Sequence, residues 1–373
     1  MMLGNILQNF IKLKTNYSKC YILNLKYDIN VQKYQFITER RTSRHSLPNI
    51  LKMKNIKIAF LGHGNVGGGT CQILKNNADL ISQRIGRSFE VTHILVSDTK
   101  KPRNWPTLGA KLVTDFDDIL DSDADIIIEA LGGIEPAASY MMRALEHGKH
   151  VVTANKAALA AKYPSLIDAA KSSGVSLRFE ASVGGGIPAL SAILGNLRGN
   201  RFTEISGILN GTTNYILTKM ASENLMYEDV LKTAQELGFA EADPTADVEG
   251  IDAANKLSIL MAIGFDEYID PESIPRVGIT KVTADDIAKA SADGRKIKLL
   301  GTAKIDDGGK LEYFVKPIAI DASHPLYNVD DEYNAILVRG DSVEDVMMYG
   351  KGAGPLPTGS AVLGDIIEIA ERL

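Results

Sequence analysis

The amino-acid sequence predicts an α/β chain in which a parallel-sheet domain precedes an α+β domain, and three patterns carry that expectation. A β-branched and apolar run from Ile56 to Leu61 leads through Gly62-His63-Gly64-Asn65-Val66-Gly67 into a helical pattern marked by Ile73, Leu74 and Leu80. Apolar strands then alternate with helical patterns of about 10 to 15 residues as far as Ser182, as βαβ units require. From about Ile187 the alternation breaks, and helices and strands follow in irregular order, as in an α+β domain.

Each element has its own sequence signal. Strand, glycine turn and helix together make the G-x-G-x-x-G match meaningful. Gly62 suits the tight turn, Gly64 lets backbone N–H groups approach a pyrophosphate, and Gly67 lets the helix pack close to the strand, with Asn65 and Val66 at the helix entry. The helix N-terminus adds partial positive charge for the phosphates, so a Rossmann-type dinucleotide site is expected. The second strand runs from Phe89 to Asp98, where an acid would accept hydrogen bonds from a ribose and favour NAD. Lys100, Lys101 and Arg103 follow at once and suit a 2′-phosphate, so NAD and NADP both remain open.

Next come Asp125–Gly133 as strand and glycine turn, Glu135–Gly148 as helix, and His150–Lys156 as strand. Pro164–Gly174 reads as a helix with its C-terminal glycine, and Val175–Ser182 as a strand. Right-handed crossovers put every strand's C-terminal end on one edge. Ligands bind beyond that edge, so Gly132, Gly133 and Lys156 are expected beside the cofactor. Further on, Ile187–Gly199 reads as helix, Phe202–Gly211 as strand, and Thr212–Leu225 and Tyr227–Gly238 as helices. Segments 296–320, with a turn at Asp306 to Gly309, and 333–354 look like strands. A closing helix over 357–373 has Pro357 near its start, Thr358 or Ser360 as its cap and Arg372 near its end.

The segment between Gly238 and Lys256 gathers five carboxylates, Glu241, Asp243, Asp247, Glu249 and Asp252, ahead of the apolar run LSILMAIG. Asp252 and Lys256 are four apart and share a helix face. Alone, such a pair reads as an ordinary solvated salt bridge. Beside a dinucleotide turn and a strand-end lysine it reads as a grip on a small cationic substrate.

Composition narrows the class. With 373 residues, 45% hydrophobic and 23% charged, two domains are the natural expectation. No apolar run approaches the ~20 residues of a membrane helix. Two cysteines, Cys20 and Cys71, make no disulfide framework and suggest a reducing compartment. The six histidines show no ligand spacing, so no zinc site is expected. A net charge of −5 argues against a nucleic-acid partner.

The first 52 residues differ from the rest: nine basic residues against two acids give +7, which leaves −12 for the remaining chain. A transit peptide should be basic, Ser-rich and acid-poor; a functional basic arm and a stretch translated from too early a start are the alternatives. The segment lacks clear amphipathic periodicity, and Met53 directly precedes the first strand, so the early-start reading is favoured.

Six segments, GHGNVGGG, VVTANKAALA, EASVGGGIP, LNGTTNYI, GFAEADPTADVEGIDAANK and GKGAGPLPTGSAV, together resemble homoserine dehydrogenase, in that family's order and over about Lys54 to Leu373. The resemblance implies interconversion of L-homoserine and L-aspartate 4-semialdehyde with NAD or NADP, in threonine and methionine biosynthesis in the cytoplasm. It implies a short form of the enzyme, a homodimer or homotetramer paired through a sheet, and a final helix that returns to the nucleotide domain. The expected divisions are an N-terminal extension over 1–52, the dinucleotide domain over 53–186, a substrate and dimerisation domain over 187–349, and the returning helix over 350–373.

Carried onto this chain, the proton-transferring lysine falls on Lys256 with Asp252 as partner. Lys156 falls near nicotinamide and substrate; Glu241, Asp247 and Thr212 fall among the substrate contacts, and Gly352 among the cofactor contacts. Glu180 and the carbonyls of Val183, Gly185 and Ile187 match a segment that holds a monovalent cation such as Na+, and the same glycines also read simply as a hinge. Two rivals fare worse. An aspartate-semialdehyde dehydrogenase needs a cysteine nucleophile, which neither Cys20 nor Cys71 is placed to be, and a non-catalytic NAD(P)-binding sensor has no need of the acidic pocket or its lysines.

Overall fold

The structure, a computed structural model, describes residues 55–240 and 242–373; the expectations for residues 1–52 and for Glu241 lie outside the described residues. The first part of the chain runs β1 (Ile56–Leu61), α1 (Asn65–Ile85), β2 (Phe89–Leu95), β3 (Lys111–Val113), α2 (Asp117–Leu120), β4 (Ile126–Glu129), α3 (Ala137–Glu146), β5 (His150–Thr153), α4 (Lys156–Ser173) and β6 (Leu177–Arg178). Its six strands form one parallel sheet in the order β3-β2-β1-β4-β5-β6. That doubly wound order reverses between β1 and β4, which opens a crevice at their C-terminal ends. The strands are nearly continuous Ile, Val and Leu because helices cover both faces of the sheet, and Ile58, Ile126, Ile127 and Ile128 are fully buried.

The second part runs α5 (Ala189–Leu194), β7 (Phe202–Ile208), α6 (Gly211–Glu223), α7 (Tyr227–Glu236), α8 (Thr245–Val248), α9 (Ile251–Gly264), α10 (Ala284–Ala292), β8 (Lys296–Ile305), β9 (Leu311–Ile320), β10 (Tyr333–Gly340) and β11 (Glu344–Lys351). Its five strands form an antiparallel sheet in the order β11-β10-β7-β8-β9. The chain ends in α11 (Pro355–Ala370), which packs along α1. Two glycines let these helices touch. A Cβ at Gly69 would lie 2.2 Å from the Pro355 carbonyl oxygen, and one at Gly359 would lie 2.8 Å from the Thr70 nitrogen.

Several boundaries differ from expectation for local reasons. α4 begins at Lys156 rather than Pro164, because Asn155 caps it by accepting from the Ala158 N–H; the chain passes Pro164 with non-helical angles at Lys162. β2 stops at Leu95, three residues short of Asp98. The strand expected over Val175–Ser182 is only Leu177–Arg178 before a 3-10 turn at Glu180–Ser182. The helix expected over Ile187–Gly199 is confined to α5. Neither Thr358 nor Ser360 caps the last helix: it starts at Pro355 after Gly354, and the Thr358 N–H already donates to the Gly354 carbonyl. The short elements β3, α2 and α10 were not expected; only α10 carries a sequence cue, the capping box of Thr283 with Asp286.

Candidate active site

The long apolar helix α9 starts after Gly250, whose φ of +78° reverses the chain out of the acidic segment. Asp252 then falls in its first turn and Lys256 one turn later, both buried although charged. The Lys256 ammonium donates to the Asp252 carboxylate at 2.7 Å and to the Leu209 carbonyl at 2.6 Å. Lys156, the first residue of α4, reaches the other Asp252 oxygen at 2.9 Å. One carboxylate is thus shared by two lysines from two domains. The Asn210 amide donates to Asp252 at 2.9 Å and to Asp247 at 2.7 Å, and the Asn210 side-chain oxygen caps α6 through the Thr213 N–H. Thr212, in the same turn, donates to the Phe239 carbonyl at 2.8 Å and so ties down the chain just before Glu241.

Charges in this cluster perturb one another. At Asp252 burial disfavours the anion, but Lys256, Lys156 and the Asn210 bond outweigh it and hold the carboxyl well below its ordinary range. At Lys256 burial, helped by the charge of Lys156, lowers the ammonium below the usual lysine value against the pull of Asp252. Burial and the neighbouring Asp252 raise Asp247. Buried, strongly coupled titratable groups at a domain boundary are the pattern of a catalytic centre.

The residues expected to hold the cofactor lie on the sheet edge. Gly62 has φ +95°, and a Cβ there would strike the Ala130 carbonyl at 2.7 Å; one at Gly67 would strike the Gly62 carbonyl at 2.5 Å. A Cβ at Gly64 would meet nothing within 4 Å, nor would one at Gly132. The turn is therefore tight where it must be and open ahead of the first residues of α1, Asn65 and Val66, which fits a pyrophosphate. In the loop beyond β2, the Lys100 N–H donates to the Asp98 carboxylate at 2.8 Å and the Arg103 guanidinium to the Asp98 carbonyl, while Lys100 and Lys101 stay exposed.

The glycine segment at the domain junction is closely packed. Gly185 (φ +57°) approaches Gly352 so nearly that a Cβ would lie 2.5 Å from its carbonyl carbon, and the Gly186 N–H donates to the Lys351 carbonyl at 3.2 Å. Both Glu180 carboxylate oxygens accept backbone N–H bonds, from Leu190 at 3.0 Å and Ser191 at 2.6 Å, so this acid caps α5. The Ile187 carbonyl accepts from the Ala189 N–H. Burial also pushes the neighbouring Asp365 up to about 8, and that side chain accepts from the Glu180 N–H.

The cluster brings together Lys156, Asp252, Lys256, Asp247 and Thr212, and leaves the Asp98 loop on the far side of the glycine turn. Sequence reasoning missed Asn210 and Glu129. Asn210 carried a signal, since Asn before Gly-Thr-Thr is a strong helix cap. Glu129, fully buried at the end of β4, carried none beyond its place at the end of an Ile run.

Comparison with known proteins agrees with this geometry. A family model described as homoserine dehydrogenase matches residues 188–367, and one described as homoserine dehydrogenase, NAD binding domain, matches residues 62–180. The homoserine dehydrogenase of Bacillus subtilis is 42% identical over 322 residues, 86% of this chain and 74% of that protein. A crystal structure of a homoserine dehydrogenase from Thiobacillus denitrificans is 43% identical with a TM-score of 0.82, covering 86% of this chain and 74% of that one. A hyperthermophilic archaeal homoserine dehydrogenase solved in complex with NADPH is 27% identical with a TM-score of 0.72, covering 86% and 99%. With both domains matched and the lysine–carboxylate cluster intact, the chain belongs to the homoserine dehydrogenase family, NAD(P)-dependent oxidoreductases that interconvert L-homoserine and L-aspartate 4-semialdehyde.

Proposed function

We propose that Lys256 moves the proton of the substrate's primary alcohol while Asp252 orients it, and the observation that carries this is the single buried carboxylate shared by Lys156 and Lys256. A nicotinamide dinucleotide held by Gly62 to Gly67 and Gly132 in the crevice would supply the hydride acceptor for the alcohol carbon. Lys256 is suited to the proton because burial weakens its hold on it, and Asp252 and the Leu209 carbonyl fix its direction. Lys156, half-exposed at the start of α4 and bonded to Asp252, is placed to meet the substrate carboxylate beside the ring. Asp247 and Glu241 suit the substrate ammonium, with Thr212 bonded to the Phe239 carbonyl just ahead of that segment. The test is NAD(P)-linked oxidation of L-homoserine by the wild-type chain and by the Lys156→Ala variant. A raised KM for L-homoserine in the variant is expected, and an unchanged one would remove Lys156 from the substrate site.

NADP is the cofactor that the basic trio favours. Changing Lys100, Lys101 and Arg103 together to Ala is expected to raise the KM for NADPH much more than that for NADH; equal effects would mark the trio as a solvated loop. The NADPH held by the archaeal relative supports the same choice. For a monovalent cation, Na+ beside Glu180 and the Val183, Gly185 and Ile187 carbonyls, hard oxygen donors are the supporting chemistry. A homodimer or homotetramer is supported by Met347 and Tyr349, apolar and exposed on the edge strand β11. A cytoplasmic setting is supported by the free thiol of Cys71.

A further inference from the structure

Glu129 ends β4 with no exposure at all, and its carboxylate is held by a complete set of donors. The Leu131 N–H donates to one oxygen at 2.8 Å, joined there by the Asn155 amide at 3.4 Å, and the Thr153 hydroxyl donates to the other at 2.5 Å. The Thr153 oxygen itself accepts the Asn155 N–H at 2.9 Å, which fixes the hydroxyl beside Glu129. Of the three partners of this carboxyl among the described residues, the Leu131 N–H and the Asn155 amide can only donate and the Thr153 hydroxyl can donate as well, an environment that favours the anion. Burial works against the charge and raises the pKa, with the three donors opposing it. Glu129 also makes no ion pair among the described residues, whereas buried charges are ordinarily paired.

Its position supplies the missing partner. Glu129 is in register with Leu61 of β1 and Thr153 of β5, so it lies directly under the edge where the crevice opens. Gly62 of the dinucleotide turn packs on Ala130, the next residue, and Lys156 begins the helix that Thr153 and Asn155 lead into. A dinucleotide whose pyrophosphate sat on the turn would lie along the crevice at the C-terminal ends of β1, β4 and β5, where residues 130 to 133 could meet its nicotinamide end. The oxidised ring carries a positive charge and the reduced ring carries none.

We propose that Glu129 is a positioning residue whose fixed negative charge beneath the nicotinamide end makes the enzyme bind the oxidised cofactor more tightly, relative to the reduced one, than it otherwise would. Its bonds to Leu131, Thr153 and Asn155 hold the turn and the start of α4 around that charge. The inference rests on the reading that Gly62 to Gly67, Gly132 and Lys156 hold the cofactor.

The test is equilibrium binding, with NADPH followed by its fluorescence and NADP+ by displacement, on wild type, Glu129→Gln and Glu129→Asp. Gln keeps the shape, because its amide can donate to the Thr153 oxygen while its carbonyl accepts from Leu131. The ratio of the NADP+ to the NADPH dissociation constant is expected to rise about tenfold in Glu129→Gln, the size of effect one charge exerts over several Å at an effective dielectric constant near 20. Glu129→Asp, which keeps the charge, should leave the ratio near the wild-type value even if both cofactors bind more weakly, and it serves alone should the Gln variant not fold. Equal weakening of both cofactors in Glu129→Gln, or a shifted ratio in Glu129→Asp, would overturn the proposal. Lys156→Ala separates the two ideas. If it weakens cofactor or substrate binding while Glu129→Gln leaves the ratio unchanged, the site stands and the charge effect is lost. If neither variant alters any binding constant, the cofactor lies elsewhere and both readings fall.

Discussion

Lys256→Ala is expected to lower kcat by a factor of about 10² to 10⁴, the range usual for a general acid–base group, and to leave nucleotide affinity nearly unchanged. The ammonium is buried, bonded to Asp252 and Leu209, and held in a single direction, so no neighbouring water can take its place without rearrangement. Measuring kcat and the nucleotide dissociation constant on one preparation decides the matter; near-normal turnover would end the assignment and make Lys156 the next residue to test. The pH profiles should differ by direction. Aldehyde reduction needs the protonated lysine and should fall as pH rises through its pKa, whereas homoserine oxidation needs the neutral amine and should rise over the same interval. Burial, with Lys156 adding to it, sets that interval below the ordinary lysine value. In the Ala variant both limbs should disappear.

Asp252→Asn should cost both stability and turnover. The substitution preserves shape but leaves Lys256 buried without its counter-charge, and removing one partner of a buried ion pair typically destabilises by about 3–5 kcal/mol. Urea unfolding of wild type and variant measures this, and a difference under about 1 kcal/mol would show the pair to be no stronger than a surface bridge. The acid dependence gives a second readout. The folded-state pKa of Asp252 is depressed, so its contribution to stability is present above the unfolded value of ~3.9 and is lost as pH falls through the folded one. The variant should lack that contribution. Its kcat should fall too, because the lysine loses the group that aims it.

Much of the architecture is legible in the sequence. The Ile56–Leu61 run, the glycine turn and the alternating elements to Ser182 specified a parallel sheet, because hydrophobic period and glycine placement are local properties of the chain. The irregular second half correctly signalled a different architecture, although only its hairpin turn at Asp306 to Gly309 indicated which strands pair. Asp252 and Lys256 were legible as a pair, since helical spacing alone puts them on one face.

Boundaries failed where a side chain or a close approach overrode the local pattern. Asn155 starts α4 eight residues before the proline that seemed to begin it, so a strand-end lysine became the first residue of a helix. Thr358 and Ser360 looked like caps, but the buried contact between α11 and α1 leaves the helix start to Gly354 and Pro355.

By itself, then, the sequence determined the fold class, the dinucleotide turn and the family, because each is written in the spacing of a few neighbouring residues. Only the tertiary structure decided that Lys156 crosses from the parallel-sheet domain to share Asp252, that Asn210 bridges Asp247 to Asp252, that Glu180 caps a helix, and that Glu129 is a buried acid without a counter-ion among the described residues. These depend on which distant segments meet and on how much water their meeting excludes, and burial and hydrogen-bond partners of that kind have no periodicity along the chain.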